Sequence, residues 1–483
     1  MPICPGRSTR PQTDHSRFHL AGPPVWALAA LLSLQAQVLP AQDGLDDQPG
    51  AAGFVNFDLD ANRFDTARAC AVQPDGKIVL AGYATDDDGE ENKIAVARVG
   101  LDGHPDTTFG SNDGRVAIDF TAFGYALKDG RAAAVLVDEY GGLLVVGTVR
   151  LAAGGPPQIF VTRLLANGSI DPNFFYNGIT GGWYFSTAMR GVGAAALDAA
   201  GILWIVGPED NGQTEDWVVL RLNPNGTDLG SQQILIGSSY EFSGPSALLF
   251  QPDGKAIVGG WAQTPAPFNH ASFVLHRLLF SGASWVADPT FGFTGDGWVT
   301  LEYPQTARLR SMALLPDGGF AVAGDTGPFL AENLVVQRMS ANGLPDGTFE
   351  EYVAFDVGGS GGDGTYGASR MVAQSDGKIV VAARVETGDP GNTSNVGVAR
   401  LLRGGGLDPS FGGLGTGKRV FSMATPPPGS GDDFVTCLVL AAGKPVVGGF
   451  GEYIAPDYDF AFRRLKSSLI FTDGFESGTT FFW

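Results

Sequence analysis

Few residues in this chain have the types and spacing that catalysis needs. Beyond residue 41 the only histidines are His104, His270 and His276, and they stand in unrelated sequence contexts. Serine and cysteine nucleophiles are usually activated by a histidine, and structural zinc sites combine several cysteine and histidine ligands. The sequence therefore predicts no catalytic residues and no zinc site.

Three acidic residues have a spacing that could suit a metal ion. Asp86, Asp88 and Glu90 alternate in the segment TDDDGEEN. Alternating carboxylates near a glycine suit Ca²⁺, which prefers oxygen ligands, but the full twelve-residue calcium-loop pattern is absent. Two alternatives stay open, a calcium site and a solvated acidic loop, and no other cofactor is expected.

Seven arginines recur at one place in a repeated pattern, and five of them are followed by an aspartate. The aspartate comes eight residues later in four copies and eleven residues later in a fifth. A guanidinium on a partly buried strand needs a fixed acceptor, which predicts structural arginine–aspartate pairs. The alternative, an arginine ring that captures an anion, conflicts with the acidic composition. The arginines are Arg98, Arg163, Arg221, Arg277, Arg338, Arg400 and Arg464, and the aspartates are Asp106, Asp171, Asp288, Asp346 and Asp408.

A repeated hairpin must position these residues. The segment QPDGKIVLAG at residues 73–82 reads as a tight turn that enters a short apolar strand. Seven versions of it occur, and the glycines of their turns are 53 to 66 residues apart. Each repeat continues with a long loop, a third strand that carries the arginine, a short connector and a fourth strand. A period of this length specifies an architecture without specifying an activity.

A lone strand at residues 53–59 precedes the first hairpin, while the last repeat lacks a fourth strand. If the lone strand completes the last repeat, the array closes into a ring and has no free sheet edges. The sequence therefore predicts an all-β fold, a seven-bladed β-propeller of four-stranded antiparallel blades. It should contain 28 strands and extend over residues 53–466.

Cys70 and Cys437 are the only cysteines beyond residue 41, and each lies six residues before the glycine of its turn. We expect them at equivalent sites on adjacent inner strands of the first and last blades. In an oxidising compartment they could form a disulfide that fastens the ring. Two buried free thiols are the alternative, because the strands could lie too far apart for a bond that needs Cα atoms within about 7 Å.

The repeat resembles a known family. QPDGKIVLAG, the following IAVARV and a D-x-x-F-G motif such as DPSFG at 408–412 resemble the delta-60 repeat. This is a bacterial family whose copies are taken to form β-propellers and whose function is not established. The resemblance implies the fold and no activity. Residues 467–483 contain IFTDGFESG and resemble an I-F-x-D-G-F-E-S-G tail of exported proteobacterial proteins.

The N-terminal segment predicts export. Residues 1–41 combine a basic leader with an apolar run at 25–34, the pattern of a signal peptide, and residues 42–52 read as a polar linker. No other segment has the ~18 apolar residues of a membrane helix. A formal charge of −20 disfavours nucleic acid and anionic membranes as partners. We expect a secreted, periplasmic or cell-surface protein.

The long, variable loops after the second and fourth strands should share one face, and function usually lies on such loops. The predicted ligand face contains Tyr83, Tyr125, Tyr240, Trp261, Phe268, Tyr303, Tyr366 and Tyr453. The leading hypothesis is a non-catalytic binding propeller for a glycan or a protein. The alternatives are an extracellular glycan hydrolase or lyase and a structural cell-surface component.

Overall fold

The computed structural model describes most of the chain beyond residue 53. The described residues are 54–57, 64–85, 91–101, 103–118, 129–151, 155–175, 182–209, 216–236, 240–281, 284–327, 333–355, 365–389, 392–412, 415–423, 432–454 and 457–465. The predicted signal peptide at 1–41, the linker at 42–52 and the tail at 467–483 lie outside these ranges. Within them the regular elements are all β-strands.

The described ranges contain 29 strands. In chain order they are β1 Phe54–Phe57, β2 Asp65–Val72, β3 Ile78–Thr85, β4 Asn92–Val99, β5 Arg115–Ile118, β6 Asp129–Val137, β7 Leu143–Arg150, β8 Gln158–Leu164, β9 Trp183–Ser186, β10 Ala194–Leu197, β11 Leu203–Pro208, β12 Trp217–Leu222, β13 Asp228–Ile234, β14 Phe242–Phe250, β15 Ala256–Gln263, β16 Ala271–Ser281, β17 Ser284–Ala287, β18 Trp298–Leu301, β19 Ala307–Leu314, β20 Phe320–Thr326, β21 Asn333–Met339, β22 Pro345–Val353, β23 Thr365–Ala373, β24 Ile379–Asp389, β25 Asn392–Leu401, β26 Lys418–Phe421, β27 Asp433–Ala441, β28 Lys444–Ile454 and β29 Asp457–Arg464.

These strands form six sheets, where the sequence predicted seven. Four sheets have four strands, in the orders β1-β29-β28-β27, β10-β11-β12-β13, β19-β20-β21-β22 and β23-β24-β25-β26. A fifth runs β14-β15-β16-β17, with β18 also on β16. The sixth has eight strands, because Asn92 on β4 pairs in parallel with Asp129 on β6 and thereby joins β2–β5 to β6–β9. The strand beyond the predicted 28 is β17, which pairs with the long strand β16.

The turn sequence explains the start of each hairpin. In the first one, Gly76 has φ +86°, a value that favours glycine, and its N–H donates to the Gln73 carbonyl at 2.8 Å. The Asp75 carboxylate accepts from the Lys77 N–H at 3.2 Å. The second strand that follows is buried along almost its whole length, because the hairpins on either side of it cover both of its faces.

The first strands of successive hairpins contact one another. Contacts join β2 to β6, β6 to β10, β10 to β14, β14 to β19, β19 to β23, β23 to β27 and β27 to β2. At the N-terminus, β1 pairs antiparallel with β29, with Phe54 opposite Arg463 and Phe57 opposite Phe460.

A disulfide joins Cys70 on β2 to Cys437 on β27, and their Cα atoms are 5.8 Å apart. The two strands are therefore close enough for the bond, which needs Cα atoms within about 7 Å, and the alternative of two free thiols is wrong. Counting from the turn glycines predicts equivalent sites for the two cysteines, and this is wrong. The last hairpin turns in only two residues, between Ala441 and Lys444. As a result Cys437 is the first paired residue after the register shift in β27, whereas Cys70 is the second paired residue after the register shift in β2.

That offset of one residue makes the bond feasible. Successive side chains of a strand point to opposite faces. Cys70 therefore points from the first hairpin toward the last one, and Cys437 points from the last toward the first. Both pack in the same apolar cluster with Leu80, Val446 and Phe462.

Candidate functional site

The predicted arginine–aspartate pairs form in four of the five copies that have a candidate acid. Arg98 Nε lies 2.8 Å from Asp106 Oδ2, Arg400 Nε lies 2.8 Å from Asp408 Oδ2, and Arg277 Nε lies 2.9 Å from Asp288 Oδ2. Arg163 donates to Asp171 at 2.8 Å. These groups are buried or half-buried, and each arginine also lies over a buried phenylalanine. Those rings belong to Phe109, Phe411, Phe291 and Phe174.

Three of the paired arginines also bind across to the next repeat. Arg98 donates to the Ala166 carbonyl at 2.6 Å, Arg277 to the Ala341 carbonyl at 2.6 Å and Arg163 to the Pro224 carbonyl at 3.2 Å. Burial favours the neutral form of Asp106, but hydrogen bonds from Thr108 and Lys77 and the charge of Arg98 hold its pKa well below the ordinary range. A carboxylate and a guanidinium that satisfy one another in this way act as structural groups that hold the connector in place.

Arg338 departs from the predicted pairing. It pairs with Asp317 in the preceding turn, and the predicted partner Asp346 is half-buried and accepts from Thr348. Three of the other connectors have a Phe-Gly pair, and the second has Phe175 at φ +47° after Phe174. Asp346 instead lies within strand β22, which begins at Pro345.

The two remaining arginines have other surroundings. Arg221 lies over the rings of Trp204 and Trp285, 5.4 and 5.8 Å from their centroids, in a repeat that lacks the acid. Burial lowers its pKa and the charge of Asp198 opposes this. Arg464 lies on β29 opposite Val446.

The histidine candidate His276 lies in the core, and the acidic metal candidates fall outside the described ranges. His276 is buried and stacks on Trp298 with ring centroids 3.9 Å apart, and burial lowers its pKa to about 4. Asp86, Asp88 and Glu90 lie outside the described residues. Among the residues that are described, no group of three His, Cys, Asp or Glu side chains could hold a metal ion.

Aromatic and arginine side chains meet at the edge of the sheets where first strands begin and second strands end. We call these positions the loop-edge set. Cross-strand pairs there are Thr66 with Tyr83, Arg131 with Thr148, Gly244 with Trp261, Arg308 with Asp325 and Phe434 with Phe450. The residue types differ from copy to copy, so the repeat itself does not fix them.

Cation–aromatic contacts link neighbouring hairpins through this set. The Arg131 guanidinium lies 5.0 Å from the Tyr83 ring centroid, and that of Arg308 lies 4.7 Å from the Trp261 ring. Arg384 lies 4.2 Å from the Phe434 ring and pairs with Asp432 at 3.0 Å. Such contacts hold a flat aromatic face beside a positive charge, an arrangement that suits ligands with both apolar and polar faces.

A cleft of about 360 Å³ opens where the first and last hairpins meet. We call it the seam cleft. Its lining consists of Phe64, Thr66, Tyr83, Thr85, Asn92, Arg131, Phe434, Phe450 and Tyr458. Phe64 stacks on Tyr458 at 5.5 Å and Phe434 stacks on Phe450 at 4.5 Å, so the aromatic walls are prearranged.

Hydrogen bonds and an ion pair hold the polar side chains that line the seam cleft. The Asn92 amide donates to Asp129 Oδ1 at 2.7 Å, and Arg131 pairs with the same oxygen at 2.8 Å. The Thr85 hydroxyl donates to the Phe64 carbonyl at 3.0 Å. Asn92 and Arg131 are thereby held in place by one carboxylate outside the cleft lining.

The structure shows how exposed the described residues of the predicted ligand face are, and Tyr303 is the one that lies in the core. Tyr83 and Trp261 are half-buried members of the loop-edge set, Tyr240 is half-buried, and Phe268 is 81% exposed. Tyr303 is 5% exposed, because its ring packs on Phe273 in the core, and its hydroxyl lies 3.3 Å from Gln337 Oε1. It is not a ligand residue. Tyr125 and the side chains of Tyr366 and Tyr453 lie outside the described part of the structure.

Sequence reasoning missed Phe64, Arg131, Phe434, Phe450 and Tyr458. A signal for three members of the loop-edge set was present: Tyr83, Trp261 and Phe450 each follow the glycine that ends the second-strand motif. Arg131 lies ten residues before its turn glycine, as Arg308 does. Phe64 and Tyr458 come together through a bridge between distant segments, which no local pattern predicts.

Comparison with known proteins identifies the fold. A family model described as "Domain of unknown function (DUF5122) beta-propeller" matches residues 73–109, 141–174 and 374–411. Those segments contain the turn, the second and third strands and the connector of their repeats. With the antiparallel sheets and the contacting first strands, this decides the architecture. The chain is a β-propeller.

Similar solved structures have low sequence identity. A protein of unknown function from Dyadobacter fermentans DSM 18053 is 11% identical, with 85% of this chain and 97% of that chain covered and a TM-score of 0.45. The β-propeller domain of the Trilobed protease from Pyrococcus furiosus is 9% identical, with 84% and 93% covered and a TM-score of 0.43. Polysaccharide lyase Uly1 is 11% identical, with 82% and 89% covered and a TM-score of 0.48. No curated protein matches the chain. Across the described ranges, no helix has the length and apolar character that a membrane crossing requires.

Proposed function

We propose that this protein is a secreted, non-catalytic binding propeller that holds a glycan in the seam cleft. The observation that carries the proposal is the prearranged pair of aromatic stacks beside Asn92 and Arg131. Aromatic faces pack against the C–H faces of sugar rings, while amide and guanidinium groups donate to hydroxyl oxygens. A volume of about 360 Å³ lies within the range typical of small-molecule sites and accommodates one or two sugar units.

The seam cleft favours binding over hydrolysis. Glycoside hydrolysis ordinarily uses two carboxyl groups on either side of the scissile bond. The described residues that line the cleft include neither aspartate nor glutamate. Asp129, the nearest carboxylate in the network, is engaged by Asn92 and Arg131.

We further propose that the propeller has seven blades of the delta-60 type and closes through β1. The parallel pair of Asn92 with Asp129 that joins two four-stranded groups has counterparts in the bridges of Ser394 with Asp432 and of Phe64 with Tyr458. The last of these connects β29 to the start of the first hairpin. One kind of link thus occurs both within the array and between its ends, which supports two blades in the eight-stranded sheet. Closure would complete the cleft, since its walls come from both ends of the chain.

A glycan array tests this function. The purified protein is applied alongside Tyr83→Ala and Phe434→Ala, with Tyr140→Ala as the matched control. Tyr140 is 81% exposed in a turn at the opposite sheet edge, so its removal deletes an aromatic ring without touching the cleft. We expect selective retention that weakens about tenfold or more in the two cleft variants and is unchanged in the control. Absence of any selective retention, or equal retention by all four proteins, would refute glycan binding at this cleft.

A further inference from the structure

Arg131 is the charged side chain of the seam cleft. Among the described residues that line the cleft, no other is charged at neutral pH. Its Nε lies 2.8 Å from Asp129 Oδ1, and its guanidinium lies over the Tyr83 ring, 5.0 Å from the centroid. A ligand in the cleft therefore meets an ion pair and not an isolated cation.

Asp129 also fixes the orientation of Asn92. The Asn92 amide donates from Nδ2 to Asp129 Oδ1 at 2.7 Å, and the Thr85 hydroxyl lies 3.0 Å from Asn92 Oδ1. A carboxylate can only accept hydrogen bonds, so the amide nitrogen must face it. The reversed amide would place two acceptors against one another.

The backbone brings these polar side chains together. Asn92 on β4 and Asp129 on β6 are partners in the parallel pair that joins the first two hairpins. Arg131 follows Asp129 by two residues and therefore lies on the same face of β6. The group is thus held by strands from two hairpins, which keeps its geometry the same with and without a ligand.

Donor groups of Arg131 and Asn92 remain available to a ligand. In the part of the chain that the structure describes, the Arg131 Nη groups and the second N–H of Asn92 donate no hydrogen bond. Asn92 Nδ2 and Arg131 Nε both lie within 2.8 Å of one oxygen, so these donors are close neighbours. Neighbouring hydroxyl groups of one sugar ring can accept from such a pair while the C–H face of the ring packs on an aromatic wall.

The ion pair weakens the attraction of the cleft for an acidic sugar. A carboxylate that enters would lose hydration against the aromatic walls, and Asp129 offsets much of the attraction of Arg131. Arg68 also lies near Tyr83, 5.7 Å from the ring centroid, but it is exposed and outside the cleft lining, so water and salt screen its charge. An uncharged sugar can use the same donors without the cost of burying a charge.

We propose that Asp129 is a specificity-determining residue that makes the seam cleft select an uncharged sugar. It orients Asn92 and Arg131 as adjacent donors to hydroxyl groups, and it cancels the charge of Arg131. Asp129 lies outside the cleft lining and acts through its two partners, so it is a positioning residue. The inference rests on the proposed glycan function and names the class of glycan.

An array of matched glycan pairs tests the inference on the intact protein. Each uronic-acid oligosaccharide is printed beside its carboxyl-reduced form, in which a hydroxymethyl group replaces the carboxylate. The test variant is Asp129→Asn, which keeps an oxygen acceptor for Asn92 and Arg131 and removes the charge. The control is Asp113→Asn, the same change at an exposed aspartate whose carboxylate lies 3.4 Å from Nε of Arg115, also two residues along the chain.

We expect the wild type to retain the carboxyl-reduced member of a pair about fivefold or more above the acidic member. Asp129→Asn should bring this ratio to about one or reverse it, whereas the control, with an equal change in net charge, should keep the wild-type ratio. A merely structural role of Asp129 would weaken the retention of both members alike and leave the ratio unchanged.

Two results would overturn the role of Asp129 while the glycan function stands. One is retention with a ratio that Asp129→Asn does not change, and the other is a wild type that prefers the acidic members. The second needs no variant, so the test does not depend on the stability of Asp129→Asn. If no member of any pair is retained, the glycan function itself fails and the specificity fails with it.

Discussion

Reduction of the Cys70–Cys437 disulfide should destabilise the protein strongly. The bond links residues 367 positions apart, so it closes almost the entire described chain into one loop. In the chain-entropy description, a loop of that length removes about 20 cal/mol/K from the unfolded state, or about 6 kcal/mol at 25 °C. The Cα separation of 5.8 Å is ordinary for a disulfide, so little of this gain is opposed by backbone distortion.

The assay is equilibrium unfolding in urea, with and without a reductant, followed by tryptophan fluorescence. We expect the free energy of unfolding to fall by several kcal/mol on reduction. The Cys70→Ala/Cys437→Ala variant should unfold near the reduced wild type and should not respond to the reductant. Oxidised and reduced wild type that unfold within 1 kcal/mol of one another would refute the argument that this bond fastens the two ends of the array.

Two further predictions concern buried acids. Burial raises the pKa of Asp433 to about 7, so its neutral form stabilises the protein below pH 4 and that contribution, up to about 4 kcal/mol, is lost as the pH rises through 7. Asp433→Asn should remove this fall from a profile of urea midpoint against pH, and parallel profiles would contradict it. Asp408→Asn should cost about 3–5 kcal/mol in the same assay, because it leaves Arg400 buried without its carboxylate. Asp346 is the half-buried equivalent in the fifth repeat, where the arginine pairs with Asp317 instead. Asp346→Asn should therefore cost only about 1 kcal/mol or less, and equal costs would count against a structural role for the arginine pairs.

The parts of the fold that follow from local sequence could be predicted. The residues Pro74, Asp75 and Gly76 favour a tight turn by themselves. Arg98 and Asp106 are eight residues apart and are joined by one short connector, so their pairing could also be predicted. The same rule failed for Asp346, because the segment that forms a connector in other repeats belongs to strand β22 here. The cysteine positions failed for a similar reason, since the two-residue turn at Ala442 and Gly443 shifts one strand by a residue.

The candidate site was less predictable because it is assembled between hairpins. Tyr83 and Trp261 could be found from aromatic residues near variable loops. The partners that make them a site, Arg131 and Arg308, come from the next hairpin along the chain. Phe434 and Tyr458 reach the seam cleft only because the two ends of the described chain meet there.

Hydrogen exchange with a bound oligosaccharide tests most directly whether function lies at the seam cleft. Peptides that contain Thr66, Tyr83 and Phe434 should exchange more slowly in the complex, while peptides that contain the turns at 73–77 and 138–142 should be unaffected. This result would place the ligand on the loop edge where the first and last hairpins meet. Protection of the turns with no change around Tyr83 and Phe434 would place it at the opposite edge and contradict the account.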